Sequence, residues 1–300
     1  MKVIACRELR KQFGRTVALN DLSFSIKANK ITGLIGPNGA GKTTLLKIAA
    51  GYLRETAGEI RVFSRQPFND LTVSANTVFV DDNMALPGTL NIAEILDAAS
   101  LFYPHWDHRL ALRLFEYFSF NPRALHKSLS KGMKSTFNMI IGLSAHCALT
   151  IFDEPTVGMD AAVRRDFYRA LLQDYLRHPR TMIISSHLLS EIEDLLEDIL
   201  LLSAGRKRLQ LPVAELREYA VGLRGAAGLV ERFTADKEIY RRETFGANKV
   251  FVVVRNSFSG AVLEEIRAAG LELLPVSAED LCVYLTSGER GGIDDVFSGN

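Results

Sequence analysis

The residues Gly36-Pro37-Asn38-Gly39-Ala40-Gly41-Lys42-Thr43 carry the spacing G-x-x-x-x-G-K-[ST], that of a phosphate-binding loop. The apolar run Ile31 to Ile35 precedes it and Thr44-Leu45-Leu46-Lys47-Ile48-Ala49-Ala50 follows, so the loop stands between a strand and a helix, the context the motif requires. Glycines let the backbone wrap a phosphate chain with successive N–H groups aimed at its oxygens. The helix N-terminus adds a partial positive charge at the same place. Gly36, Pro37, Asn38, Gly39, Ala40, Gly41, Lys42, Thr43 and Thr44 are therefore the candidate ATP-phosphate residues. The Lys42 ammonium would reach the terminal phosphates, and the Thr43 hydroxyl would ligate Mg²⁺.

Three further groups suit the same chemistry. Ala148-Leu149-Thr150-Ile151-Phe152-Asp153-Glu154 is an apolar strand ending in two carboxylates. Asp153 at the strand end would hold Mg²⁺, and Glu154 would polarise an attacking water as general base. Thr181-Met182-Ile183-Ile184-Ser185-Ser186-His187 is another strand, ending in an imidazole able to hydrogen-bond a γ-phosphate or the water. Leu129-Ser130-Lys131-Gly132-Met133-Lys134 opens a helix, and Ser130 with Gly132 there reads as an N-cap or a second anion site.

These residues need parallel strands to carry them. Residues 1 to about 35 alternate short apolar runs with turns and read as an antiparallel β region feeding the loop strand. From Leu90 to Ala145 the spacing turns helical, as in Ile92, Ile95, Leu96 and Ala99. Strand patterns return at Ala148 to Phe152, Thr181 to Ser185 and Ile199 to Leu202, with the helix Ala161 to Leu176 between the first two. Strands alternating with helices predict an α/β fold, a P-loop NTPase with a mostly parallel, covered sheet. The helical block of about 84–145 is then an inserted subdomain. Pro212 marks a boundary between a nucleotide-binding domain of residues 1–211 and a small α+β extension of residues 212–300. The extension reads as a helix (Val213 to Tyr219), a mixed segment, a strand (Val250 to Val254), two helices (Gly260 to Ala269, and near Ala278 to Thr286) and a glycine-rich tail expected to fray.

The 300 residues carry a net charge of +1, which gives no reason to expect nucleic-acid binding. Cys6, Cys147 and Cys282 are isolated, so they suggest neither a metal site nor a disulfide framework, and fit a reducing interior. Charges at Arg7, Glu8, Arg10 and Lys11 leave no room for the apolar core of a secretory signal. No apolar stretch approaches the roughly 18–20 residues that span a bilayer. Any work at a membrane is expected to need a separate spanning subunit.

The order of glycine loop, serine–glycine helix start, Asp-Glu strand and histidine resembles the ATP-binding cassette (ABC) ATPases over about residues 1–211. Leu129 to Met133 is similar to their signature loop, usually L-S-G-G-Q, with Lys131 and Met133 as departures. Val157-Gly158-Met159-Asp160 resembles the D-loop, His187 the switch histidine, and Lys11-Gln12-Phe13-Gly14 the aromatic loop whose ring stacks on adenine. Asp82 occupies the place of the family's glutamine near the metal, a shorter and charged substitute. The resemblance implies ATP and Mg²⁺ as cofactors, with Thr43, Asp82 and Asp153 at the metal. It implies head-to-tail pairing with a second cassette, as a homodimer or heterodimer, in which Ser130 and Gly132 act on the partner's ATP. It also implies a cytoplasmic location on the inner face of the membrane through a permease subunit. Ser277-Ala278-Glu279-Asp280-Leu281 with Leu285-Thr286 resembles the tail of exporter-type bacterial cassettes. The alternative is a soluble ABC ATPase acting on ribosomes or DNA. Its ribosomal members carry two cassettes with a charged linker, whereas this chain has one P-loop.

Overall fold

The computed structural model describes residues 1–246 and 248–286. The glycine-rich tail expected to fray lies outside the described residues.

The chain opens with β1 (Lys2–Phe13) and β2 (Thr16–Lys27), an antiparallel hairpin. β3 (Ile31–Ile35), five buried residues, runs through the glycine loop into α1 (Lys42–Ala49). β4 (Ala57–Val62) pairs with β1 and completes a sheet of order β2-β1-β4. α2 (Leu71–Asn76), capped by the Asp70 side chain, leads directly into β5 (Thr77–Val80). Three helices follow: α3 (Ile92–Phe102), α4 (His108–Tyr117) and α5 (Lys131–Ser144). Each begins at a side-chain cap (Asn91, Asp107, Ser130), which satisfies one of the free N–H groups at a helix start. β6 (Leu149–Asp153), α6 (Ala161–Arg177), β7 (Thr181–Ser186) and β8 (Asp198–Ser203) complete the alternation, and β9 (Arg206–Pro212) returns beside β8.

The central sheet has the order β5-β6-β7-β3-β8-β9, and the pairs β5/β6, β6/β7, β7/β3 and β3/β8 are parallel. This is the expected α/β P-loop NTPase architecture. β3, β6 and β7 are buried at every position, as strands covered on both faces must be, so they read as unbroken apolar runs. Parallel strands deliver their C-terminal ends to one edge of the sheet, where α/β folds bind ligands. There β3 leads into the glycine loop, β6 ends at Asp153 and β7 ends one residue before His187.

Contacts divide the chain after Gln210 into two compact units. The second begins with a single turn, α7 (Val213–Leu216), shorter than the sequence suggests because the chain turns into a strand at Ala220. β10 (Ala220–Ala226), α8 (Ala227–Thr234), β11 (Ile239–Phe245), β12 (Lys249–Arg255), α9 (Gly260–Ala268) and β13 (Glu272–Pro275) follow, then α10 (Ala278–Thr286). Their sheet order β11-β12-β10-β13 with two crossing helices is the ferredoxin-like βαββαβ arrangement. Its core joins Leu223, Val252 and Val254 of the sheet to Val230 of α8 and Ile266 of α9.

Candidate functional site

The strand register sets the geometry of the site. Ile35 lies opposite Ser186 and Asp153 opposite Ser185, so the glycine loop, His187 and Glu154 emerge side by side. In the loop, Gly36 and Ala40 are buried while Pro37, Asn38 and Gly39 form an exposed rim. Gly41 sits at φ +100, and a Cβ there would come within 2.6 Å of the Ala18 carbonyl oxygen. Only glycine lets the loop enter α1 against β2 at that point. Thr43 is exposed in the first turn of α1 and Thr44 is half-buried behind it.

Lys42 is only 6% exposed, and its ammonium is held from two sides. Nζ donates to the Gly36 carbonyl oxygen at 2.6 Å and lies 3.1 Å from Glu154 Oε1. The other carboxylate oxygen of Glu154, Oε2, lies 2.8 Å from His187 Nδ1. Lys42, Glu154 and His187 thus form one chain of contacts across the ends of three strands. Glu154 adopts φ +48, a left-handed conformation that costs about 1–3 kcal/mol in a non-glycine residue and gathers at functional sites. It turns the carboxylate back toward Lys42.

Ser185 anchors this bend, and its role is not visible in the sequence pattern. Its hydroxyl donates to Asp153 Oδ1 at 2.6 Å and accepts from the Glu154 N–H at 2.8 Å. One hydroxyl therefore fixes both carboxylate residues. Asp153 is buried at the strand end, and its Oδ2 stays clear of the Ser185 bond. With the Thr43 hydroxyl it offers hard oxygen donors suited to Mg²⁺.

Ser130 and Gly132 lie elsewhere. Among the described residues no hydrogen bond or ion pair joins them to the Lys42–Glu154–His187 contacts. The Ser130 hydroxyl accepts from the Met133 N–H at 3.3 Å, and Ser135 Oγ donates to the Val157 carbonyl oxygen at 2.9 Å. A Cβ on Gly132 would fall 2.4 Å from the Gly158 carbonyl oxygen, so this turn packs directly on the loop Val157 to Asp160. Phe13 ends β1 with 47% of its surface exposed, and Lys11 Nζ stands 4.8 Å from its ring centre. Its face is available for stacking.

Asp82 follows β5 in an exposed loop. Its carboxylate lies 3.8 Å from Lys131 Nζ and accepts from Asn83 Nδ2 at 2.7 Å. Its neighbour Asp81 is the more enclosed of the two. Burial, with Asp153 and Asp82 nearby, outweighs Lys47 and holds the Asp81 carboxyl above its usual range. Asn138, a polar residue inside the apolar run of α5, donates to the Asp81 carbonyl oxygen at 3.0 Å and meets His126 Nε2 at 3.0 Å. It ties α5 to the Asp82 loop.

Residues 19–157 match the family model described as ABC transporter. The Nod factor export ATP-binding protein I of Rhizobium johnstonii is 30% identical over 224 residues, covering 70% of this chain and 68% of that protein. The chain belongs to the ABC transporter family of ATPases. The ABC transporter ATP-binding protein YtrB of Bacillus subtilis is 24% identical over 290 residues, 96% of the cassette chain and 99% of that protein, so this likeness runs through the second unit as well. A solved ATP-binding subunit of an ABC transporter shares the cassette's fold, with a TM-score of 0.64 at 21% identity over 72% of this chain and 92% of that one. In the cassette, Lys131 and Asp82, two of the departures from the family pattern, face one another as an exposed ion pair.

Proposed function

We propose that this chain is the ATP-hydrolysing subunit of an export system, energising a separate membrane permease through head-to-tail association of two cassettes. The observation that carries this reading is the contact chain Lys42–Glu154–His187 beside the glycine loop. ATP phosphates take the place of Glu154 and the Gly36 carbonyl oxygen as the partners of Lys42. Glu154, released from the ammonium and still touching His187, accepts the proton of a water aligned with the γ-phosphate. Thr43 and Asp153 would hold Mg²⁺, which supplies charge neutralisation on the phosphates, and Ser185 keeps Asp153 in place. Phe13 stacks on the adenine. Asp82, exposed and paired with Lys131, is a further candidate oxygen donor for the metal.

Ser130 and Gly132 lie apart from their own chain's Lys42, which supports their acting on the ATP of a second copy or a paralogue. Membrane association follows from the permease, since among the described residues no helix is long and apolar enough to cross a bilayer. A groove of about 550 Å³ supports the permease contact. It is lined by Tyr52, Phe79, Leu86, Pro87, Ile95 and Phe102, and opens beside the Asp82 loop. Phe102 is 77% exposed on its rim, a large apolar surface that suits an apolar helix of the partner. Export is favoured by the relatives, two of which are named for Nod factor export and lantibiotic transport.

Lys42→Ala tests the nucleotide site directly. The variant is expected to fold and to lose ATP binding, read by equilibrium dialysis of the purified protein. Undiminished affinity would overturn the assignment.

A further inference from the structure

At the opposite end of the central sheet, three metal-binding side chains converge from three elements. Asp107 caps the start of α4, His146 follows the C-terminus of α5, and His178 ends α6. One ligand atom from each lies within 4.8 Å of the others. The cluster sits where β6 and β7 begin, while Glu154 and His187 follow their C-terminal ends. Five residues of strand, about 17 Å, therefore separate it from the ATP site.

We propose that Asp107, His146 and His178 form a binding site for a divalent transition-metal ion of the Zn²⁺ class. The donor set, two imidazoles and a carboxylate, is the kind such ions prefer. Two features beyond the cluster support the assignment. First, His146 is already backed by a carboxylate: its Nε2 lies 2.9 Å from Asp174 Oδ1. Asp174 in turn accepts from buried Arg180 at 2.6 Å. An ionised carboxylate on Nε2 fixes the proton there and leaves Nδ1 as a lone-pair donor, the arrangement that orients metal-binding histidines. Second, the buried indole N–H of Trp106, the residue before Asp107, has no acceptor. Trp106 borders the same pocket as His146 and His178, so a metal-bound water or anion would supply that acceptor.

The remaining geometry is compatible. Asp107 Oδ1 accepts from the Leu110 N–H at 2.9 Å, which leaves its second oxygen to ligate. The His146 and His178 ring centres are 4.7 Å apart. Tetrahedral Zn²⁺ with bonds of about 2.0–2.1 Å needs ligand atoms roughly 3.3 Å apart, so small side-chain rotations close the site. Arg177 also lines the pocket, and its charge favours an anion as the fourth ligand.

The test is a Zn²⁺ titration of the full chain, stripped with a chelator and free of nucleotide, in competition with a chromophoric chelator. Co²⁺ absorption in the visible reports tetrahedral geometry. The expected result is one equivalent bound, with affinity reduced at least ~10-fold in His178→Gln and in Asp107→Asn. Both variants spare the fold, since His178 is exposed and asparagine still caps a helix. ATP affinity checks that they remain native. Binding that is absent in the parent protein, or unchanged in both variants, overturns the proposal.

Discussion

Glu154→Gln removes one negative charge from the Lys42–Glu154–His187 contacts while keeping the length and planarity of the side chain. Two consequences follow, with different signs. Loss of a general base lowers turnover by about 10²- to 10⁴-fold, or about 2.7–5.5 kcal/mol at 1.36 kcal/mol per decade. Nucleotide affinity moves the other way. Lys42 is paired with Glu154 at 3.1 Å, and that pair must break before the ammonium meets a phosphate. Glu154 keeps 23% of its side chain exposed, so solvent screens the pair to at most about 1 kcal/mol. Its removal therefore tightens ATP binding by up to about fivefold. The assay is phosphate release and fluorescent-nucleotide binding on the same purified variant, with size-exclusion chromatography to detect a trapped ATP-bound dimer. Near-normal turnover would move the base elsewhere, with His187 the first suspect. Weakened ATP binding would refute the exchange of partners by Lys42.

Four other outcomes are expected. Ser185→Ala should leave Asp153 and the Glu154 N–H unanchored, costing about 1–3 kcal/mol of stability by chemical denaturation and lowering turnover more than ATP affinity. Arg180→Met should strand the Asp174 charge against a single histidine and cost about 3–5 kcal/mol. Because the folded-state pKa of Asp174 lies below its ordinary 3.8, its stabilising contribution is present above that value and lost as pH falls through the lowered one, so denaturation below about pH 4 should be less steep in Asp174→Asn. Leu86→Asp should spare the ATPase of the isolated subunit yet uncouple it from the permease; normal stimulation in the assembled complex would place the contact elsewhere.

Much of the candidate ATP site is legible because its chemistry demands contiguous residues. A phosphate cradle needs glycines, a lysine and a helix start within eight positions, and a metal carboxylate needs a strand end. Groups that act across the sheet were not legible. Ser185 looks like one more strand residue until the register sets it against Asp153. Asn138 gave a weak signal, an amide within an otherwise apolar helix, but its partners lie 57 and 12 positions away. Of the elements, Thr77–Val80 was missed because four residues directly after a helix show no period of their own. The sequence announces an α+β extension but not its topology, since β11 alternates too weakly between exposed and half-buried positions to announce a strand. Leu86 is half-buried, so it packs on the loop as well as facing the groove.

Helix α5 spans fourteen residues, about 21 Å of nearly rigid rod. Its first residue follows Ser130, and its far end is pinned where the Asp107 N–H donates to the Ser144 carbonyl oxygen at 2.8 Å. With Asn138 tying its middle to the Asp81 carbonyl, the helix behaves as a lever with its fulcrum part-way along. A tilt of about 5° about the Asn138 tie displaces Ser130, about 12 Å away along the helix, by about 1 Å, comparable to the helix shifts that switch other proteins between states. In the proposed head-to-tail pair Ser130 would thus be aimed from the far end of its own helix, so the Asp107–Ser144 anchor would bear on how two cassettes close.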